Sequence, residues 1–311
     1  MSSRRAVMIL AYASIPGLAA IAEGTAQAQA ARPAPLAGWE AFFREPAPFT
    51  LDSPAPEPGA GSFDPFALDL PPSTAQSGAG GLEVFFAVYA WLPMQTGDVT
   101  VRGVEGDVDL GFSDVIDLLD DLQGGFMGHL EIGWKPFTLI ADLYYINLED
   151  ERNLPGGELE MQFIQDIVDV VGAYRVGEWK LTGDRALALD AFAGARWNYL
   201  YSELDPNALI LTNRVSRDFD WFDAVFGARA LLPLSDCFLL TVRGDLGGFG
   251  WGESSDFTWQ AAGALTWHGD HWSLGLGYRA LGIDYDRGSG SGKFEYDITL
   301  HGPFVGLGYR F

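Results

Sequence analysis

The feature that most constrains this chain is a period of two. From Leu82 onward, large apolar and aromatic residues recur at every second position through stretches of ten residues or more, and clusters rich in Gly, Pro, Asp and Ser separate the stretches. Side chains of an extended strand alternate between two faces, whereas those of a helix repeat every 3.6 residues, so this pattern builds strands with two unlike sides. The clearest run puts Leu187, Leu189, Ala191, Ala193, Ala195, Trp197, Tyr199 and Tyr201 on one face and Asp190, Gly194, Arg196 and Asn198 on the other. In the same way Phe222, Phe226 and Leu232 oppose Asp223 and Arg229, and Phe238, Leu240, Val242 and Leu246 oppose Arg243 and Asp245. Two further runs set Trp259, Leu265 and Trp267 against Thr258 and Gln260, and Trp272, Leu274, Leu276 and Tyr278 against Ser273 and Arg279.

Ten segments of this kind lie near 83–92, 123–134, 138–149, 158–177, 186–204, 217–232, 238–250, 255–267, 272–286 and 293–311. The expected fold is all-β: an antiparallel barrel of about ten strands, which brings both barrel ends to one side of a membrane. Twelve is the alternative if Asp98 to Leu110 supplies further strands. Phe112 to Leu122 reads as a short amphipathic helix in an outer loop, with Ser113 able to cap it and Val115, Leu118, Leu119 and Leu122 forming an apolar stripe.

A soluble sandwich alternates as well, and periodicity alone does not say which face is outward. The N-terminus bears on that choice. Arg4 and Arg5 precede an apolar stretch from Ala6 to Ile21, and small residues end in Ala28-Gln29-Ala30, the three-part layout of a cleavable secretory signal. No later segment offers some eighteen uninterrupted apolar residues, so no helical span is expected. Ten of the 17 prolines fall between Ala31 and Gly81, giving a Pro-rich periplasmic tail; its aromatic clusters, Trp39 to Phe43 and Phe63 to Phe66, suit a periplasmic partner. The domain plan is thus 1–30 leader, 31–81 disordered tail and 82–311 barrel. A formal net charge of −23 excludes nucleic-acid binding through a basic surface. Cys237 is the only cysteine, so no intrachain disulfide forms.

The last stretch, Gly302-Pro303-Phe304-Val305-Gly306-Leu307-Gly308-Tyr309-Arg310-Phe311, resembles the C-terminal strand of Gram-negative outer-membrane β-barrels. The barrel region is also loosely similar to small barrels of the OmpA/OmpW superfamily. The resemblance implies an outer-membrane location, outer-membrane lipid and lipopolysaccharide as surroundings, and recognition of Tyr309 and Phe311 by the barrel assembly machinery.

The polar faces then point into the lumen, carrying Glu131, Asp142, Asp169, Arg175, Asp190, Arg196, Asp223, Arg229, Arg243, Asp245, Arg279 and Arg310. Two functions stay open. A narrow porin-like channel for ions or small solutes would use these charges as its constriction, and it is slightly favoured because ionisable groups in a membrane interior usually serve a pathway. The alternative is a closed barrel held by salt bridges and serving envelope integrity or surface contact. His129, Glu131 and Asp142 outline an acid/base cluster, the basis of a third and less favoured reading as a lipid- or peptide-hydrolysing barrel, but no activated nucleophile stands in a motif beside them, so no enzyme is expected. His268 and His271 lack a completing ligand set, so neither metal nor cofactor is expected.

Overall fold

The computed structural model describes residues 82–311 apart from 155–156, 182, 184 and 209–213; the expected leader and Pro-rich tail lie outside the described residues. Among the described residues the chain forms β1 (Glu83–Trp91), β2 (Met94–Val101), β3 (Val104–Leu110), helix α1 (Phe112–Leu118) with one 3-10 turn after it, and β4 (Leu122–Trp134). Then come β5 (Phe137–Leu154), β6 (Gly157–Lys180), β7 (Ala186–Ala208), β8 (Val215–Pro233) and β9 (Phe238–Gly248). The last strands are β10 (Phe257–His268), β11 (Trp272–Arg287) and β12 (Phe294–Arg310).

Strands β4 to β12 pair antiparallel in sequence order, and β1 closes the ring between β12 and β4. The closed barrel therefore has ten strands. The β2–β3 hairpin lies outside the ring, with β2 paired to Phe294–His301 of β12, so Asp98 to Leu110 does supply strands without widening the barrel. The chain crosses from β1 to β2 along one neighbour: Leu92 N–H donates to Pro303 O at 3.1 Å. A Cβ at Gly302 would lie 2.0 Å from Leu92 O, so this close backbone approach requires glycine.

Short links join β4 to β5, β6 to β7, β8 to β9 and β10 to β11 at one end, here called the lower end. Phe85 of β1 and Arg310 of β12 face each other in register there as well. The strands differ greatly in length: β6 has 24 residues and β7 has 23, whereas β9 has 11 and β10 has 12. At the upper end the long strands stand above the short ones, and the ring splits. The β8–β9 ladder stops at Val225↔Gly247, the β10–β11 ladder at Phe257↔Asp284 and the β1–β4 ladder at Val88↔Gly128.

Above those points two sheets remain, β4–β8 on one side and β11–β12–β2–β3 on the other. They pack face to face. Phe219 stacks on Phe294 at 3.7 Å between ring centroids, Trp221 stacks on Tyr285 at 4.2 Å, and Gln165 Nε2 donates to the Tyr296 hydroxyl at 3.1 Å. Val99, Leu281, Ile298, Leu300 and Tyr296 are wholly enclosed between the sheets, with Ile167, Leu200 and Phe163 beside them.

The phase of the alternation reverses on passing from lower to upper half. On β11 the apolar residues Trp272, Leu274, Leu276 and Tyr278 face outward and are exposed, while higher up Leu281, Ile283 and Tyr285 face inward and are buried. On β12, Val305 and Leu307 are exposed low down, and Leu300, Ile298, Tyr296 and Phe294 are buried above. On β8, Phe226 and Phe222 face out, whereas Trp221 is buried and Phe219 packs inward with it. The same strands are thus polar inside and apolar outside below, and apolar inside and polar outside above.

Helix α1 only partly follows the expected stripe. Val115 and Leu118 are buried, as that stripe requires, but Leu119 and Leu122 are exposed. The chain tightens into a 3-10 turn at Leu119–Asp121 and rotates them off the buried face.

Candidate functional site: the enclosed charge layer

The site is built by register. On β4 to β8, His129, Asp142, Asp169, Arg196 and Asp223 stand opposite one another in one continuous row of pairings. A second row joins Arg175, Asp190, Arg229, Arg243, Ala262 and Arg279 across β6 to β11. Barrel strands are tilted, so a row of paired residues climbs as it goes round. Acids of the first row therefore meet arginines of the second across the interior.

Arg196 occupies the centre and has no contact with solvent. Its Nε and Nη2 donate to Asp169 at 2.7 and 3.1 Å, the two-pronged geometry that suits a carboxylate, while Nη2 also reaches Asp245 at 2.9 Å and Nη1 reaches Thr258 Oγ1 at 3.1 Å. Arg243 donates to Asp169 at 3.0 Å and to Asp245 at 3.1 Å, with its guanidinium 4.8 Å over the Phe192 ring. Gln260 adds a third donor to Asp245 at 3.0 Å.

A second chain of contacts runs along the opposite wall. Arg279 donates to Asp142 at 3.0 Å and lies 4.8 Å over the Trp91 ring, and the Tyr89 hydroxyl donates to the same carboxylate at 2.7 Å. His129 bridges Asp142 and Glu131, each at 3.0 Å. A carboxylate only accepts, so meeting both contacts needs N–H on both ring nitrogens, the imidazolium form. Glu131 then takes Arg229 at 2.7 Å, Arg229 takes Asp190 at 2.8 Å, and Arg175 joins Asp190 to Glu178. Asp223, at the upper edge of the layer, accepts the Ser255 backbone N–H at 2.7 Å, the Ser255 hydroxyl at 2.9 Å and Asn198 Nδ2 at 3.0 Å.

Eleven of the twelve charged residues expected in the lumen accordingly take part in this layer. Arg310 shares the inward face of β12 but stands at the lower rim, opposite Phe85. Tyr309 lies on the outer face there among His271, Trp272 and Phe311, and the Phe311 N–H donates to Val84 O at 3.1 Å. Sequence reasoning omitted Tyr89, Glu178 and Ser255. Tyr89 has the right strand parity to have been found; Glu178 does not, because a β-bulge between Arg175 and Gly177 moves the inward face of β6 from odd to even positions, and Ser255 sits in the loop before β10, where parity gives no signal.

His129, Glu131 and Asp142 do come together, but both ring nitrogens are held by carboxylates that are themselves held by arginines. No nitrogen is left to accept a proton from a substrate. No group of residues able to hold a metal ion occurs among the described residues.

No family model matches the chain, and no curated protein matches it. Among solved structures it is similar to the translocator domain of the autotransporter NalP from Neisseria meningitidis, with 16% identity over 78% of this chain and 91% of that one, at a TM-score of 0.34. It is also similar to Ail, the attachment invasion locus protein of Yersinia pestis, solved with a heparin analogue, with 11% identity over 75% of this chain and 99% of that one, at a TM-score of 0.32. Neisserial surface protein A shares 11% identity over 76% of this chain and all of that one, at a TM-score of 0.25. Scores this low leave the architecture to rest on the ladders and faces described above: a closed, antiparallel, ten-stranded β-barrel of the outer-membrane type, with two further strands outside the ring and one short helix among the described residues.

Proposed function

We propose that the chain is an outer-membrane barrel that conducts nothing, and that it holds a rigid two-sheet head above the outer leaflet as a surface-contact or envelope element. Val88, Val170, Phe226, Val242, Leu246, Leu265, Leu274, Leu276, Val305 and Leu307 leave the lower outer wall apolar and exposed, which suits lipid rather than water. Aromatic residues rim this belt: Trp134, Phe137, Tyr174 and Trp267 below, and Phe126, Phe257 and Tyr278 above. About 9–11 residues carry a tilted strand across a bilayer. Strands β9 and β10 do little more than that, while β6 and β7 have length for both the crossing and the head. In this reading the short links and Tyr309 and Phe311 face the periplasm, where the assembly machinery would meet them.

The observation that carries the closed reading is that the centre of the charge layer is enclosed, with Arg196, Asp169, Asp245 and Asp223 buried. A water-filled pore wets the side chains along its wall, yet Arg196 and Asp223 are wholly enclosed, and Leu281, Ile298 and Leu300 seal the space above them. The narrow channel, the other reading, draws on the same charges as a constriction. However, arginines 175, 196, 229, 243 and 279 each already reach a carboxylate, which leaves no line of unpaired charge for an ion to follow. Planar-bilayer recording of the refolded protein separates the two. With insertion verified by heat-dependent gel mobility, no stepwise conductance is expected, and reproducible channel steps would overturn the closed reading.

A further inference from the structure

Helix α1 is apolar on two sides. Val115 and Leu118 are buried in the head, but Phe112, Ile116 and Leu119, spaced i, i+4 and i+7, form a second stripe that points away from the protein and is between 41% and 49% exposed. A loop helix standing in water would carry polar residues on that side. The stripe also has a definite position. It lies where the wall is split, because β4 above Gly128 pairs with β5 only and β1 has turned away toward β2. Leu122 and Phe126 continue the exposed apolar surface down β4, and the rings of Phe126 and Phe86 both lie over Gly128, so the surface runs without a break into the belt of the lower half. Its height matches. Leu110, two residues before the helix, shares a row with Gln95 and Leu300, one step above His301, where the outer face of β12 changes from Pro303, Val305 and Leu307 to His301, Thr299 and Asp297.

We infer that this outward stripe is a lipid-contact surface: a wedge seated among the acyl chains of the outer leaflet, closing the split between β1 and β4 from outside. The inference rests on the membrane reading above. The continuity of the stripe with the belt identifies acyl chains as the occupant. A second copy of the chain is the competing occupant, and the test below detects it.

Nitroxide labels on single cysteines, in a Cys237→Ser background and in phosphatidylcholine/phosphatidylglycerol vesicles, provide the test. Accessibility to oxygen and to a water-soluble nickel chelate is compared at Phe112→Cys, Ile116→Cys and Leu119→Cys. Leu276→Cys serves as the reference on the belt, and Asp284→Cys as the reference on the outer face of the head. Ile116 and Leu119 are expected to prefer oxygen several-fold relative to Asp284, as Leu276 does. Should they match Asp284 while Leu276 is lipid-like, the wedge is wrong and the membrane reading stands. Leu276 itself behaving as water-exposed would bring down the membrane reading. Spin–spin broadening at Ile116 that grows with the protein-to-lipid ratio would assign the surface to a second copy and overturn the inference. The labelled side chains are exposed, and Phe112→Cys repeats the measurement if either of the other two variants does not insert.

Discussion

The lower and upper halves of this barrel use the same strands with opposite faces turned inward. Below, β11 turns Leu274 and Leu276 outward and Arg279 inward; a few residues higher it turns Asp284 and Asp286 outward and Ile283 and Tyr285 inward. The backbone ladder is indifferent to this reversal, because hydrogen bonding consumes main-chain groups and leaves each face free to suit its surroundings. The two halves therefore hold together by different means. The upper half is sealed by apolar burial between two sheets, as in a soluble sandwich. The lower half must fill a narrow ring lined by carboxylates and guanidinium groups, and its enclosed centre is tolerated because each charge there finds a partner.

If that contrast is right, the heaviest loss comes from breaking a pair in the lower interior. Arg196→Met keeps the volume but strands Asp169 and Asp245, leaving Arg243 as their remaining arginine partner. Removal of one member of a buried pair costs about 3–5 kcal/mol. We expect a loss of that size in the urea unfolding of the vesicle-inserted protein, read by heat-dependent gel mobility. A loss within about 1 kcal/mol, the range of solvated ion pairs, would mean that water reaches Arg196 and that the layer is open.

The next effect reads the outer faces directly. Leu276→Lys places a charge in the middle of the belt, where a lipid-facing lysine costs roughly 2–4 kcal/mol, whereas Thr299→Lys places the same charge on the outer face of β12 in the head, where surface changes stay within about 0.5 kcal/mol. Similar losses at both sites would erase the boundary between the halves.

Much of this was legible in the sequence, and what was missed follows one rule. Each ring strand lies within a few residues of the segment read from periodicity, and the inward placement of Asp190, Arg196, Asp223 and Arg229 follows from parity alone. The split head was not read, although its signal is there. In Asp218-Phe219-Asp220-Trp221-Phe222 the apolar phase moves from odd to even positions with no turn between, and in Tyr278-Arg279-Ala280-Leu281 it moves from even to odd. A fixed phase means one environment, and a phase change inside an unbroken strand means that the strand passes from one solvent to another. Strands β2 and β3 were harder to see. Gly97 and Gly106 and the acids Asp98, Glu105, Asp107 and Asp109 dilute their alternation, and pairing with β12 supplies the order their own residues do not. The cross-barrel pairing was beyond reach, because contacts such as Arg196 to Asp245 and Arg229 to Glu131 join strands that are not neighbours in the ladder.

The smallest expected effect has the opposite sign and belongs to the upper half. Asp284, Asp297, Asp98 and Asp107 stand directly opposite one another across β11, β12, β2 and β3 on the outer face. Like charges facing each other across a ladder are unfavourable, and cross-strand terms are roughly 0.2–1 kcal/mol. A sheet that tolerates such a row must be secured from its other face, here by Ile298, Tyr296 and Val99 in the closed apolar core. Neutralising a middle position relieves two repulsions at once, so Asp297→Asn should raise the unfolding free energy by a few tenths to about 1 kcal/mol at low ionic strength. The gain should fade as salt shortens the screening length below about 10 Å. An Asp297→Asn variant that is instead destabilised at every salt concentration would mean that the row is held by attraction. The upper half would then depend on charge as the lower half does, and the division of labour between the two would be lost.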